Sequence, residues 1–318
     1  MGIGKPITPE DEKAWAEEVK AAQKLKPPPI EFFPEEPRWS FDEIILPQSV
    51  KDKILDVADY AENSKKVFEE WGLNKVYKQS RQIGINLYGA PGTGKTMAAH
   101  AIAKHLGRKI LAVNYADIES KYVGETPKNI RKAFEAAAAS NSILFFDEAD
   151  AILSKRVTSM TSATDVSVNQ TRSVMLMLMN DYQDFVIFAT NFIENFDPAF
   201  MRRISTHIEF KLPDLDCRKK LWRHYILPTM PNNIKVDELA EKYDGISGSD
   251  IANAVLMAAF KAARQNGMFV NKELVFEAIE GTLASKNANA GVTVERRIVS
   301  EDYVKEQAAK HGKELKTS

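Results

Sequence analysis

Cysteine is nearly missing from this chain: Cys217 is the only one in 318 residues. An intrachain disulfide is therefore excluded, and so is a metal site built on a cysteine cluster. Charge of one sign is missing too, since 43 Lys and Arg meet 44 Asp and Glu for a formal net charge of -1. That balance argues against a protein devoted to bulk nucleic-acid binding, although a local basic patch is compatible with it. No uninterrupted apolar run is long enough to span a bilayer, and the first residues carry no apolar signal core. A cytoplasmic protein with no membrane partner is the expectation. The chain also lacks a His-Glu-x-x-His segment, which excludes an intrinsic metalloprotease of that type.

What is present is enough core for a large domain plus a smaller one, with 44% hydrophobic residues. Residues 1–38 read as an arm. Thr8-Pro9-Glu10-Asp11 opens a polar helix over 8–25, and Lys26-Pro27-Pro28-Pro29, Pro34 and Pro37 form an extended linker. From Trp39 the texture is globular, and apolar spacing at Val50, Ile54, Leu55, Val57 and Ala58 predicts an amphipathic helix. Strand signals at 83–88, 109–114, 142–147, 185–190 and 207–210 alternate with helical ones. A helix over 97–106 stops at Gly107, while Thr126 and Pro127 read as N-cap and N1 of a helix leading through 130–138. This alternation implies an α/β domain over 39–212, its parallel sheet covered by helices on both faces. Helical segments at 218–225, 236–243, 248–265 and 271–283 give a small α-helical domain over 213–284. Residues 285–318 form a polar tail with one charged helix near 301–311.

The first strand runs into Gly89-Ala90-Pro91-Gly92-Thr93-Gly94-Lys95-Thr96, an intact phosphate-binding P-loop between strand and helix. Gly89, Gly92 and Gly94 let the backbone turn tightly, so that its N–H groups close around phosphate oxygens at a helix N-terminus. Lys95 can reach the β- and γ-phosphates, and the Thr96 hydroxyl can ligate Mg²⁺. The third strand delivers Asp147 and Glu148 at its C-terminal edge, where open α/β sheets bind ligands. Asp147 can hold Mg²⁺, and Glu148 can orient and deprotonate an attacking water. Asn191, at the tip of the fourth strand, is a candidate contact to the γ-phosphate or the lytic water; a plain strand-ending Asn reads the same way. The ligands implied are ATP and Mg²⁺.

In that order, Gly89–Thr96, Phe146-Asp147-Glu148-Ala149-Asp150, Ala189-Thr190-Asn191 and the run from Asp197 to Arg203 resemble the Walker A, Walker B, sensor-1 and arginine-finger elements of AAA+ ATPases. Ser247-Gly248-Ser249-Asp250-Ile251 resembles the lid signature of the AAA clade, and the likeness covers about 39 to 284. The resemblance implies a homo-oligomeric ring, a hexamer, with ATP between subunits and an arginine supplied by the neighbour. Arg202 and Arg203 occupy the finger position side by side, where many relatives separate the pair by Pro-Gly; either one fits the role. Relatives often carry Gly-Gly near Ile44–Leu46 and a His where Tyr225 falls, beside His224, so the adenine contacts depart from the family pattern. Lys121, Tyr122 and Val123 resemble the first pore loop of AAA unfoldases, whose aromatic grips an extended polypeptide. Met175, Met177 and Met179 suggest a gripping stripe, but helical core packing is the commoner explanation and is expected. The Ser- and Thr-rich segment 156–169 reads as a loop.

The expected function is an ATP-driven ring motor that remodels or unfolds protein substrates through a central pore. An ATPase of the initiator or loader type acting on nucleic acid is the alternative, disfavoured by the neutral charge balance. A non-hydrolysing switch is disfavoured by Glu148 with the arginine pair. About forty residues precede the ATPase module, and by analogy alone such a short module would serve a dedicated partner such as a HORMA-domain protein.

Overall fold

Short apolar segments bounded by Gly, Asn and Asp turns make a five-stranded sheet in the computed structural model, which describes residues 30–76, 83–119, 125–154, 163–182, 184–191, 196–265 and 269–289. The strands are β1 (Ile83–Gly89), β2 (Ile110–Asn114), β3 (Ile143–Asp147), β4 (Phe185–Thr190) and β5 (Thr206–Phe210). Each lies within one residue of the range that the sequence predicts. All pairings are parallel, in the order β2-β3-β4-β1-β5. The chain is thus of the α/β class.

Helices flank this sheet: α1 (Gln48–Lys65), α2 (Lys95–His105), α3 (Tyr115–Ile118), α4 (Glu125–Ser140), α5 (Asp150–Leu153), α6 (Ala163–Asp181) and α7 (Pro198–Met201). Strand side chains alternate between faces, so two cores form. On one face Ile85, Leu87, Phe145 and Ile187 pack with Ile54 of α1 and Ile102 of α2. On the other, Leu144, Phe146, Val186 and Phe188 pack with Phe134 of α4 and Met175 and Met179 of α6. Phe146 stacks on Phe188 with ring centroids 5.6 Å apart, an arrangement that adds about 1 kcal/mol to simple burial. Met175 and Met179 are fully buried, one helical turn apart, while Met177 is exposed on the opposite side of α6. The methionines are core on one face and surface on the other, as helical packing requires.

Two local expectations change. Helix α4 already includes Glu125, so Thr126 is a buried residue of the first turn rather than its cap. Pro127 is tolerated there because first-turn N–H groups have no intrahelical partner. Helix α6 includes 163–169, part of the predicted loop; once a helix is nucleated, each added residue gains a hydrogen bond, and this outweighs the weak propensities of Ser and Thr. The helices predicted at 8–25 and 301–311 lie outside the described residues, as do Lys121, Tyr122 and Val123.

At the β2 edge, Glu35 exchanges two backbone hydrogen bonds with Ile110, at 2.8 and 3.0 Å. Nearby, Arg38 N donates to Nδ1 of buried His100 at 3.4 Å, and Trp39 meets the same ring edge-on.

Contacts divide the chain into two units. The first runs to Arg223 and includes Asp237–Ser249; the second comprises His224–Val236 and the described residues from Asp250 on. The region after β5 is helical, with α8 (Leu215–Tyr225), α9 (Val236–Lys242), α10 (Gly248–Arg264) and α11 (Lys272–Asn289). Within the first unit, the buried guanidinium of Arg218 donates to Pro213 O, Ala240 O and Asp244 at 2.7–3.0 Å. Within the second, Lys261 pairs with Glu277, and Lys286 with Asp250, joining α10 to α11. No described helix is long and apolar enough to cross a membrane.

Candidate functional site

The P-loop leaves β1 and enters α2 through Gly94, whose φ of 100° is left-handed. At Gly89, φ 139°, a Cβ would fall 2.1 Å from Phe210 O, and Gly92 is crowded as well. Its φ is 74°, and a Cβ there would fall 1.9 Å from Ser249 Oγ and 2.7 Å from Ser247 Oγ. Ser249 N also donates to Gly92 O at 3.2 Å. The serines of the lid-like signature thus lie directly on the P-loop. Thr93 Oγ1 closes the turn by donating to Ala90 O at 2.7 Å.

Lys95 is buried, and its ammonium donates to Gly89 O at 2.7 Å, Ala90 O at 3.0 Å and Asn191 Oδ1 at 3.0 Å. All three protons are engaged. Burial lowers the pKa of this amine, opposed by the carboxylates of Asp147 and Asp150. The next residue, Thr96, donates from Oγ1 to Asp147 Oδ2 at 2.9 Å. A hydroxyl and a carboxylate side by side are hard oxygen donors. Among the described residues no group of three or more His, Cys, Asp or Glu side chains gathers to hold a metal. A two-oxygen site suits Mg²⁺, which completes its octahedron with water and substrate phosphates, and the residues present therefore fit that ion.

Asp147 ends β3, and its Oδ1 accepts from Glu148 N at 2.9 Å. Glu148 has φ 50°, sparsely populated for a residue with a Cβ. Its carboxylate is exposed and has no partner among the described residues. Two residues on, both Asp150 oxygens accept from Asn191 N at 3.2 Å, and Ala149 N donates to Ala189 O at 3.0 Å. The tips of β3 and β4 are tied together in this way, which sets where Asn191 points. Asp150 was not singled out from the sequence; its signal was a third acid, three residues after Asp147.

Arg202 and Arg203 lie elsewhere. They precede β5, and Ser205 N donates to Gly84 O at 3.0 Å near the start of β1. The P-loop follows the end of the same strand. From Gly84 to Gly89 the backbone climbs about 17 Å, at about 3.3 Å per residue. The arginines of one chain therefore sit at the opposite end of the sheet from its own P-loop. Arg203 is held there, donating to Asn180 Oδ1 at 2.7 Å and Ala199 O at 2.9 Å. Arg202 is exposed and has no partner among the described residues.

The structure thus brings Lys95, Thr96, Asp147 and Asn191 together, sets Glu148 beside them on a strained turn, and leaves Arg202 and Arg203 apart. Leu46 lies against the P-loop, its Cδ2 3.8 Å from where a Cβ on Gly94 would be.

Residues 85–212 match the model of the ATPase family associated with various cellular activities (AAA). The chain is 33% identical over 260 residues to the 26S proteasome regulatory subunit 8 homolog of Saccharomyces cerevisiae, covering 78% of this chain and 61% of that protein. It is 32% identical over 244 residues to the proteasome-activating nucleotidase of Sulfurisphaera tokodaii, covering 74% and 60%. Against the ATP-dependent zinc metalloprotease FtsH 2 of Sphaerobacter thermophilus it is 30% identical over 271 residues, covering 82% and 40%. The chain spans between 40% and 61% of the length of these relatives.

Proposed function

We propose that this chain, whose residues 85–212 match the AAA family of ATPases, is a Mg²⁺-dependent ATPase that works as a homo-oligomeric ring on protein substrates. The observation that carries the reading is the convergence of Lys95 and Thr96 with Asp147 and Asn191. The three acceptors now holding the Lys95 ammonium can be exchanged for β- and γ-phosphate oxygens of ATP. Thr96 and Asp147 would hold Mg²⁺, which neutralises charge on those oxygens. Asn191 is fixed through its backbone by Asp150, so its side chain can orient the γ-phosphate or the water that attacks it. Glu148 takes the proton of that water, and its exposure leaves it open to the substrate side.

A phosphoryl transition state also needs positive charge on its equatorial oxygens, and an arginine commonly supplies it. The chain's own arginines, about 17 Å of strand away from the P-loop, are badly placed for that. A neighbouring subunit's Arg202, unpaired and exposed, is the group we assign to it, with Arg203 bracing the turn beneath. A ring of subunits, a hexamer by likeness to the family, satisfies this at every interface.

The relatives named above include proteasome regulatory and proteasome-activating proteins and an ATP-dependent protease. Those names support a protein substrate; its threading past Tyr122 and the neighbouring Lys121 and Val123, in the cytoplasm, completes the proposal. In the test, Glu148→Gln keeps ATP affinity within about threefold while hydrolysis falls by about 100-fold or more; turnover near the unmutated rate removes Glu148 as the base. Tyr122→Ala keeps basal ATPase but loses unfolding of a tagged model protein, and normal unfolding by that variant removes the threading model.

A further inference from the structure

In the second unit, α10 and α11 leave a groove of about 600 Å³ between them. Met257 and Phe260 of α10 line one side, and they are 62% and 67% exposed. Leu274, Ala278 and Gly281, at helical spacing on α11, line the other. Glycine inside a helix is destabilising relative to alanine. No described neighbour requires it here, because a Cβ on Gly281 would meet nothing within 4 Å. The groove is therefore apolar, open and bare of side chain on one wall, which lets another stretch of chain approach the helix closely.

The same chain supplies such a stretch. α11 ends at Asn289, one turn beyond Ser285 at the groove's end, and the sequence runs on to Ser318, outside the described residues. That stretch is polar as a whole, yet it gathers Val292, Val294, Ile298, Val299, Tyr303 and Val304 in its first half, and Leu315 is the one large apolar residue after them. Reach is sufficient. Lys261, next to Phe260, pairs with Glu277 of α11, and from Asn289 back to Glu277 the helix runs about 18 Å. Nine residues of extended chain, from Asn289 to Ile298, span about 30 Å. Charge agrees as well: Arg264 lines the groove, exposed and without a side-chain partner among the described residues, and Glu301 and Asp302 follow the Ile298-Val299 pair. A segment tethered this closely meets the groove at an effective concentration of about a millimolar, so modest contacts suffice to seat it. We propose that residues 292–304 of the same chain lie in the groove, with Ile298 and Val299 against Phe260 and Gly281 and with Glu301 and Asp302 beside Arg264.

Met257 reports the cover, because hydrogen peroxide converts an accessible methionine to its sulfoxide faster than a covered one. Among the described residues Met257 is more exposed than Met177 of α6, at 62% against 43%, so an open groove would let it oxidise at least as fast. In the whole chain it should instead be the slower of the two, followed by peptide mass spectrometry. Ending the chain at Asn289 should raise the Met257 rate about fivefold or more and leave Met177 within about twofold. A full-length variant carrying Ile298→Asp and Val299→Asp should do the same. It decides the matter if the shortened chain fails to fold, which fast oxidation of the buried Met175 would reveal. Either change leaving Met257 within twofold in a folded protein overturns the proposal. A slow rate raised by dilution alone then means that a second copy of the chain covers the groove, and a rate already matching Met177 means that nothing does.

Discussion

At the C-terminal end of the sheet, Lys95 with Asn191, Thr96 with Asp147, and Asn191 with Asp150 hold one another at 2.9–3.2 Å. At the other end Arg202 stands exposed without a side-chain partner among the described residues, on a turn braced by Arg203. On the proposed function the two ends answer different needs. Groups that act in their own subunit are pre-organised by mutual hydrogen bonds, so little reorganisation is left for the moment of reaction. A group meant for another subunit is better left unpaired, because any bond made at home must be broken before it can serve.

That contrast can be broken in order of size. Arg202→Ala should leave ATP binding within about threefold yet lower kcat by about 1000-fold, at the modest end of what arginine fingers supply. Lys95→Ala removes the hub of the bonded end and should weaken ATP binding by about 100-fold or more, which is about 2.7 kcal/mol, in a fluorescent-nucleotide titration. Binding within fivefold would mean that the bonded end is not the phosphate site. Arg203→Ala should cost less in rate than Arg202→Ala, about tenfold or under, and more in stability. Losing the bonds to Asn180 and Ala199 costs about 1.5 kcal/mol, read as a lower urea midpoint. If Arg203→Ala proves the slower enzyme and the more stable protein, the roles of the two are reversed.

The smallest effect is on pH dependence. Burial lowers the pKa of His100 and of His207, so the unfolded chain takes up these protons first as pH falls. Stability is therefore full above the unfolded histidine pKa of about 6.5 and declines below it, because protonation favours the unfolded state. The urea midpoint should be lower at pH 5.5 than at pH 7.5, and the difference should shrink when His100 and His207 are both replaced by Gln.

Much of the bonded end was readable in the chain. A Gly-rich turn between an apolar run and a helix, and acids ending a second apolar run, are local patterns, and their strand context follows from periodicity. Strands β1 to β4 came within a residue because each is a short apolar run stopped by Gly, Asp or Asn, while β5 alternates and stops shortly before Pro213. The rest depends on residues brought together from far apart in sequence. Nothing near Arg203 announces Asn180, and nothing near Gly92 announces Ser249. Asn86, whose amide meets the His207 ring, did show as one polar residue in an apolar strand, but His207 lies 121 positions away and only the β1–β5 register pairs them. The start of α6 at Ala163 was hidden for another reason: Ser and Thr weigh against a helix locally, and helix extension outweighs them.

The two hydrogen bonds between Glu35 and Ile110 carry a consequence of their own. β2 is an outermost strand, and an uncovered outermost strand offers its free amides and carbonyls to any extended chain it meets. By laying Glu35 against Ile110, the chain closes one rung of that row, so an incoming strand finds the start of β2 already taken.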